Sequence, residues 1–268
     1  MRHPRLPAPM GGNRGRTWLE RRGSVAYRPD MTEADWLTST TLSLTMFRWV
    51  EGDLPSRKLQ LLACAACRLT WPFDDPVLAE TVEAVERHAD GLLPDAEYLA
   101  ARDHFLRRYP PFYNLGTGPL DVLAMGPAVL VAALISEDVQ AGCDRVVTWV
   151  PELVAAIAGR RRLVQADCRR QLCDLIREVA GNPFRSWQPV PDFLGGGLVQ
   201  PDGRTVPVSS AARGLAEGIA ADLGFDRLPI LADALEESGV TDAELLAHCR
   251  QPGGHVRGCW AVDVVLGR

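Results

Sequence analysis

A chain of 268 residues, 47% apolar, 24% charged and 7% aromatic, has the length and apolar content for a sizeable core; this excludes the disordered and collagen-like classes. No apolar stretch reaches membrane-spanning length, since the longest, around Val122–Ile135, is interrupted by Gly126 and Pro127. Charge divides unevenly: residues 1–30 hold seven arginines against Glu20 and Asp30, whereas 31–268 hold 22 basic and 32 acidic residues.

The basic arm 1–30 lacks the apolar segment of a secretory signal, and its prolines and glycines oppose an amphipathic helix. It is expected to be disordered or mis-annotated, with Met31 as the functional start and residues 31–268 as a single helical domain. The acidity of that body argues against a nucleic-acid partner. Seven cysteines are an odd number in a chain too long to need staples, which suits reduced thiols in the cytoplasm.

From Met31 onward the punctuation is that of short helices. Thr32, with Asp35 three positions on, forms a capping box for the first. Arg57–Trp71 follows, with Leu59, Leu62, Ala63, Ala66 and Leu69 on one stripe, closed by Pro72. Asp75-Pro76 opens a third helix that Gly91 ends, and Pro94-Asp95 opens another through Phe105 to Arg108. Residues 109–118 (YPPFYNLGTG) are a loop by composition. Pro119–Ser136 and Val146–Ala158 are apolar helices, the second broken at Pro151. Arg160–Ala180 is amphipathic, with Leu163, Ala166, Leu172, Leu175, Ile176 and Val179 inward, until Gly181-Asn182-Pro183 stops it.

Residues 182–208, rich in proline and glycine, form an irregular loop or a small hairpin in which Pro201-Asp202-Gly203 joins Leu198–Gln200 to Arg204–Val206. Asp226 and Pro229 begin a helix ending at Gly239, and Thr241 with Glu244 reads as a capping box for the next. After Pro252-Gly253-Gly254, His255–Leu266 is a last apolar segment, expected to be helical. The fold predicted is all-α, a compact array of about ten short helices.

The wording of several blocks resembles an all-helical protein family of planctomycete-type bacteria. They are MTEADWL at Met31–Leu37, RKLQLLACAACR at Arg57–Arg68, GNPFR at Gly181–Arg185, the Asp226–Gly239 segment, and HCRQPGGHVRGCW at His248–Trp260. Ala66 stands where the family pattern has a further cysteine, and residues 100–160 depart from it. The resemblance implies a helical fold and a start at Met31, and it supplies no activity.

Thiol and imidazole are the strongest chemistry. Cys64 and Cys67 lie on one side of a helix, and His248, Cys249, His255 and Cys259 crowd around the Pro-Gly-Gly break. Zinc takes four such ligands in a tetrahedron, often from two chain segments, so Cys64 and Cys67 with two of the C-terminal four would complete a site. The opposing reading packs the cysteines as small core hydrophobes, as it does Cys168 and Cys173.

No nucleophile elbow, Walker loop, dinucleotide fingerprint or H-E-x-x-H occurs, so no catalytic residues are assigned. Asp103-His104 beside Arg107 and Arg108, and the acids Asp233, Glu236 and Glu237, read as solvated faces. Arg160–Arg162 and Arg169-Arg170 read as a solvated helix start or a contact to a partner. Trp187 and Trp260 mark core or interface. Three functions follow: a helical interaction or regulatory module that docks another protein, a small zinc-supported domain, or a hydrolase-like enzyme using His104 or His255.

Overall fold

Thr32 caps the first helix as expected. Its Oγ1 accepts from the Asp35 amide at 3.1 Å, and the Asp35 carboxylate accepts from the Thr32 amide at 3.0 Å. The computed structural model describes residues 31–41, 43–69, 75–109, 131, 133–135, 138–157, 161–190 and 197–268. The arm 1–30, the 110–118 loop, most of the Pro119–Ser136 segment and Arg160 lie outside these residues.

The described residues form eleven α-helices, one turn of 3-10 helix at Phe225–Arg227 and one small sheet. In chain order the helices are α1 Glu33–Thr38, α2 Ser43–Val50, α3 Ser56–Leu69, α4 Pro76–Ala89, α5 Asp95–Arg108, α6 Val139–Ile157 and α7 Arg161–Ala180. After the sheet come α8 Ser210–Asp222, α9 Leu228–Glu237, α10 Ala243–Arg250 and α11 Trp260–Leu266. The fold is all-α in character, as the punctuation predicted. No helix among the described residues is long and apolar enough to cross a membrane.

Buried apolar side chains fall into two clusters. The first gathers Trp36, Phe47, Leu62, Phe105, Leu172 and Ile176 around α3, which packs against α4, α6 and α7. Residues 58, 59 and 61–67 of α3 are all buried, so this helix is enclosed on nearly every side rather than along one stripe. Fully burying a Leu- or Phe-sized side chain stabilises by roughly 1.5–3 kcal/mol, which makes α3 the main anchor of this half. The second cluster gathers Leu198, Ile219, Leu228, Leu231, Leu245 and Trp260 from the sheet, α8–α11 and their connections.

Several local expectations are corrected. α6 runs through Pro151 without ending, because Val146, Val147 and Val150 are buried and packing holds the backbone where one hydrogen bond is lost. Ala166 is exposed on α7, whereas Cys168 and Cys173 are buried. The cap of α10 is Asp242, whose Oδ1 accepts from the Leu245 amide at 3.0 Å; Thr241 is occupied by Arg204 instead.

The Pro201-Asp202-Gly203 turn does close a hairpin, pairing Leu198 with Val206 and Val199 with Thr205. A third strand, Gln188–Val190, pairs antiparallel on its outer edge, where Pro189 is tolerated because it needs no ladder donor. The order is β1 (Gln188–Val190), β2 (Gly197–Val199), β3 (Thr205–Val206).

The two clusters meet along a polar seam. Arg57 of α3 reaches Asp263 of α11 with Nη1 at 2.7 Å and Nη2 at 3.1 Å, and its Nε donates to Asp90 at 2.8 Å. Arg257 reaches the other Asp90 oxygen at 2.7 Å. The single lysine, Lys58, is buried here: Nζ donates to the Val179 carbonyl at 2.9 Å, the Gly258 carbonyl at 2.7 Å and Asp263 at 2.5 Å. Carbonyl oxygens only accept, and the carboxylate needs a third proton, so this nitrogen is an ammonium. On the other side Asn182 bridges Glu33 and Glu244, and Arg185 holds Asp242 and Glu244.

Candidate metal centre

The seam brings four donors together. Glu178 lies in the last turn of α7, His248 in the last turn of α10, His255 in the following loop, and Cys259 at the N-cap of α11. Their ligand atoms all lie within 4.8 Å of one another. His248 Nε2 is 3.3 Å from Cys259 Sγ and 3.3 Å from Glu178 Oε2, and His255 Nδ1 is 3.2 Å from Glu178 Oε1. A tetrahedral ion with bonds of about 2.0–2.3 Å holds its ligands about 3.3–3.7 Å apart, so the three short separations already suit a metal ion, and any pair near 4.8 Å closes by about 1 Å to hold one.

Local sequence explains the convergence. Gly181 takes φ +70°, ends α7 one turn after Glu178 and lies against the Trp260 ring. Gly253 and Gly254, at φ +76° and +78°, reverse the chain after α10 so that His255 returns towards His248; the two rings meet edge to face with centroids 5.0 Å apart. Gly258, at φ +88°, presses against α3: a Cβ there would stand 2.9 Å from Leu61 Cδ1 and 3.2 Å from Leu61 Cβ. Its carbonyl is held by Lys58, which fixes the residue just before the thiol. Gly258→Ala is expected to cost about 1–3 kcal/mol, from the left-handed backbone and the crowding, and to weaken metal binding at Cys259. Chemical denaturation with a parallel metal titration checks both.

Hydrogen bonding orients the imidazoles. His255 Nε2 lies 3.0 Å from the Gln251 carbonyl, which can only accept, so that nitrogen carries a proton. A neutral ring then turns the Nδ1 lone pair towards the Glu178 carboxylate. Two lone pairs 3.2 Å apart repel unless a proton or a cation lies between them. A ring whose far N–H is tied to a backbone carbonyl is also the arrangement that orients a metal-bound histidine.

Titration follows the same logic. Burial depresses His255, but the hydrogen bond and charge of Glu178, with the Gln251 carbonyl, outweigh it and the net direction is upward. Burial lowers His248, with Glu178 opposing and His255 adding to the depression. Burial holds the Cys259 thiol well above its ordinary value, with Glu178 adding and the amides of Val262 and Ala261 opposing. A divalent cation changes this balance, since the Glu178 carboxylate and a Cys259 thiolate together cancel its charge inside a poorly solvated site.

Of the six metal-ligand candidates read from the sequence, His248, His255 and Cys259 come together, joined by Glu178. Cys64 and Cys67 lie fully buried in the first cluster instead, and the Cys64 thiol faces the Val82 carbonyl at 3.9 Å. Burial pushes both thiols far above the ordinary range. Cys249 is buried in the second cluster, outside the four-donor group, with its thiol pushed up to about 12 by burial. Glu178 was not singled out in the sequence. Its signal is an acid in the last turn of an amphipathic helix, where the dipole disfavours negative charge, beside the inward stripe Leu175, Ile176 and Val179.

The remaining candidates are placed apart from this centre. Asp103 and His104 are exposed on α5. Arg170 pairs with Asp167 at 2.6 Å on the surface of α7, and Arg250 binds Asp233 and Glu236. Trp187 packs at the margin of the second cluster, and Trp260 lies within it, 5.0 Å from the His248 ring. No protein-family model, curated protein or solved structure matches the chain, so the centre is read from its own geometry.

Proposed function

We propose that this chain is a zinc-supported helical module in which one ion, held by Glu178, His248, His255 and Cys259, fastens the α8–α11 half to the α1–α7 half. The observation that carries the reading is the convergence of four donor atoms, from three separate stretches of chain, within 4.8 Å. A mixed nitrogen, sulfur and carboxylate set suits zinc, which accepts all three in tetrahedral geometry. The enclosure favours a bound ion: the side chains of Glu178, His255 and His248 are 8%, 4% and 15% exposed. The docking of another protein, expected of a helical module, would then depend on the ion through the rigidity of the seam.

Metal analysis of protein purified without chelator tests this reading. A single equivalent of zinc is expected in the parent and in Cys67→Ala and Cys249→Ala, and almost none in Cys259→Ser and His255→Ala. Zinc absent from the parent overturns the proposal. Zinc lost on Cys67→Ala would return the ligand set to the helix α3 pair.

A further inference from the structure

The four donors are not equally enclosed. Glu178 and His248 also line a cleft of about 470 Å³, whereas His255 and Cys259 do not. That volume lies in the range of small-molecule sites, about 300–1,000 Å³. The half-exposed Leu37, with Ala247 and Pro252, gives the lining an apolar side, and Trp36 and Trp260 border it while being only 1% and 8% exposed.

The other charged groups of the cleft are already engaged. Asp174 is held by Arg177 at 2.9 Å, and Arg177 itself donates to the carbonyls of Trp36 and Ser39. Glu244 is held by Arg185 at 3.0 Å and by Asn182 at 3.2 Å. With an ion in place, the metal is the one strong electrophile that the described lining of the cleft presents, and a ligand there would be recognised by coordination rather than by ion pairing.

Glu178 is the donor able to give way. Both of its oxygens lie at the centre, Oε2 3.3 Å from His248 Nε2 and Oε1 3.2 Å from His255 Nδ1, yet a tetrahedral ion needs only one of them. Turning to a single-oxygen contact, or leaving altogether, frees a coordination position on the side that faces the cleft. The two imidazoles and the thiolate then remain as three protein ligands with one exchangeable position, the pattern of a zinc site that works on exogenous molecules.

We propose, building on the metal reading above, that the ion takes an external oxygen-donor ligand through this cleft, an organic acid headgroup (a carboxylate or hydroxamate) on an apolar body. The incoming acid gives its proton to the displaced Glu178 carboxylate, so the exchange is neutral in charge, and the body of the ligand lies along Leu37 and Pro252. Here Glu178 is the exchangeable ligand and His248, His255 and Cys259 are the permanent ones.

Cobalt(II) substitution of the full chain tests this, with benzohydroxamate as the probe. Stoichiometric uptake with a thiolate charge-transfer band reports the centre itself. Addition of benzohydroxamate is expected to shift the visible cobalt bands to a saturating limit while the thiolate band persists. Ala247, exposed on α10 and part of the cleft lining, touches the ion in no way, so Ala247→Trp is expected to keep the cobalt spectrum and weaken the probe titration by about tenfold or more. Failure to take up cobalt with a thiolate band defeats the metal reading. Uptake with visible bands that the probe does not move, loss of the ion to the probe, or an unchanged titration in Ala247→Trp overturns the exchange proposal and leaves the metal reading standing.

Discussion

Removing the ion with a chelator is expected to lower the stability of the chain by several kcal/mol, and restoring zinc is expected to return it. An ion that binds only the folded state adds about 4 kcal/mol when its free concentration is a thousand times its dissociation constant. Its removal also leaves a buried carboxylate facing His255 Nδ1 at 3.2 Å and a thiol 3.3 Å from His248 Nε2, with only protons to hold them together. The loss is expected chiefly in the second cluster, because three of the four donors belong to α10, α11 and the loop between them, while Glu178 belongs to a helix packed in the first. Thermal unfolding with and without added zinc, followed through the tryptophans and by hydrogen exchange, measures it. Cys259→Ser should bring the parent's zinc-dependent gain close to zero. A midpoint that does not respond to chelation would show that the seam holds without an ion.

The fold was legible where short-range chemistry decides it. The Thr32–Asp35 box, the Asp75-Pro76 start and the Pro201-Asp202-Gly203 turn depend on residues within a few positions of one another, and each forms as its local chemistry requires. Pro151 was misleading because the burial that carries α6 past it involves residues distant in the chain. β1 was not legible because Gln188-Pro189-Val190 carries no alternation, and its pairing with β2 is set by the fold.

The candidate centre divides in the same way. His248, His255 and Cys259 sit close together around a glycine-rich reversal, and that density is visible in the sequence. Their partner Glu178 lies 77 positions before His255, on a helix whose neighbours only packing determines. The i, i+3 spacing of Cys64 and Cys67 placed both on one side of α3. Spacing alone says nothing of what that side meets, and it meets the interior of the first cluster.

Asp263→Asn is expected to cost about 3–5 kcal/mol, the range for removing one partner of a buried ion pair. Asp263 is the shared anion of Arg57 and Lys58; without it the buried Lys58 ammonium keeps only the Val179 and Gly258 carbonyls, and Arg57 keeps only Asp90, which it shares with Arg257. Burial raises the Asp263 carboxyl and lowers the Lys58 amine, so burial alone would neutralise both. For Asp263 the attraction of Lys58 and Arg57 wins, and its folded value lies below the ordinary one. A carboxyl depressed on folding contributes stability that is present above its unfolded value, about 3.9, and is lost as pH falls through the folded value. Asp263→Asn should therefore be less stable than the parent at neutral pH and should lose less on acidification, so that the two denaturation curves converge in acid. The variant also loosens α11 against α3, and Cys259 caps α11, so zinc affinity should fall although Asp263 is no ligand. A cost below about 1 kcal/mol, the size of an exposed pair, would mean that apolar packing rather than the charge network joins the two halves.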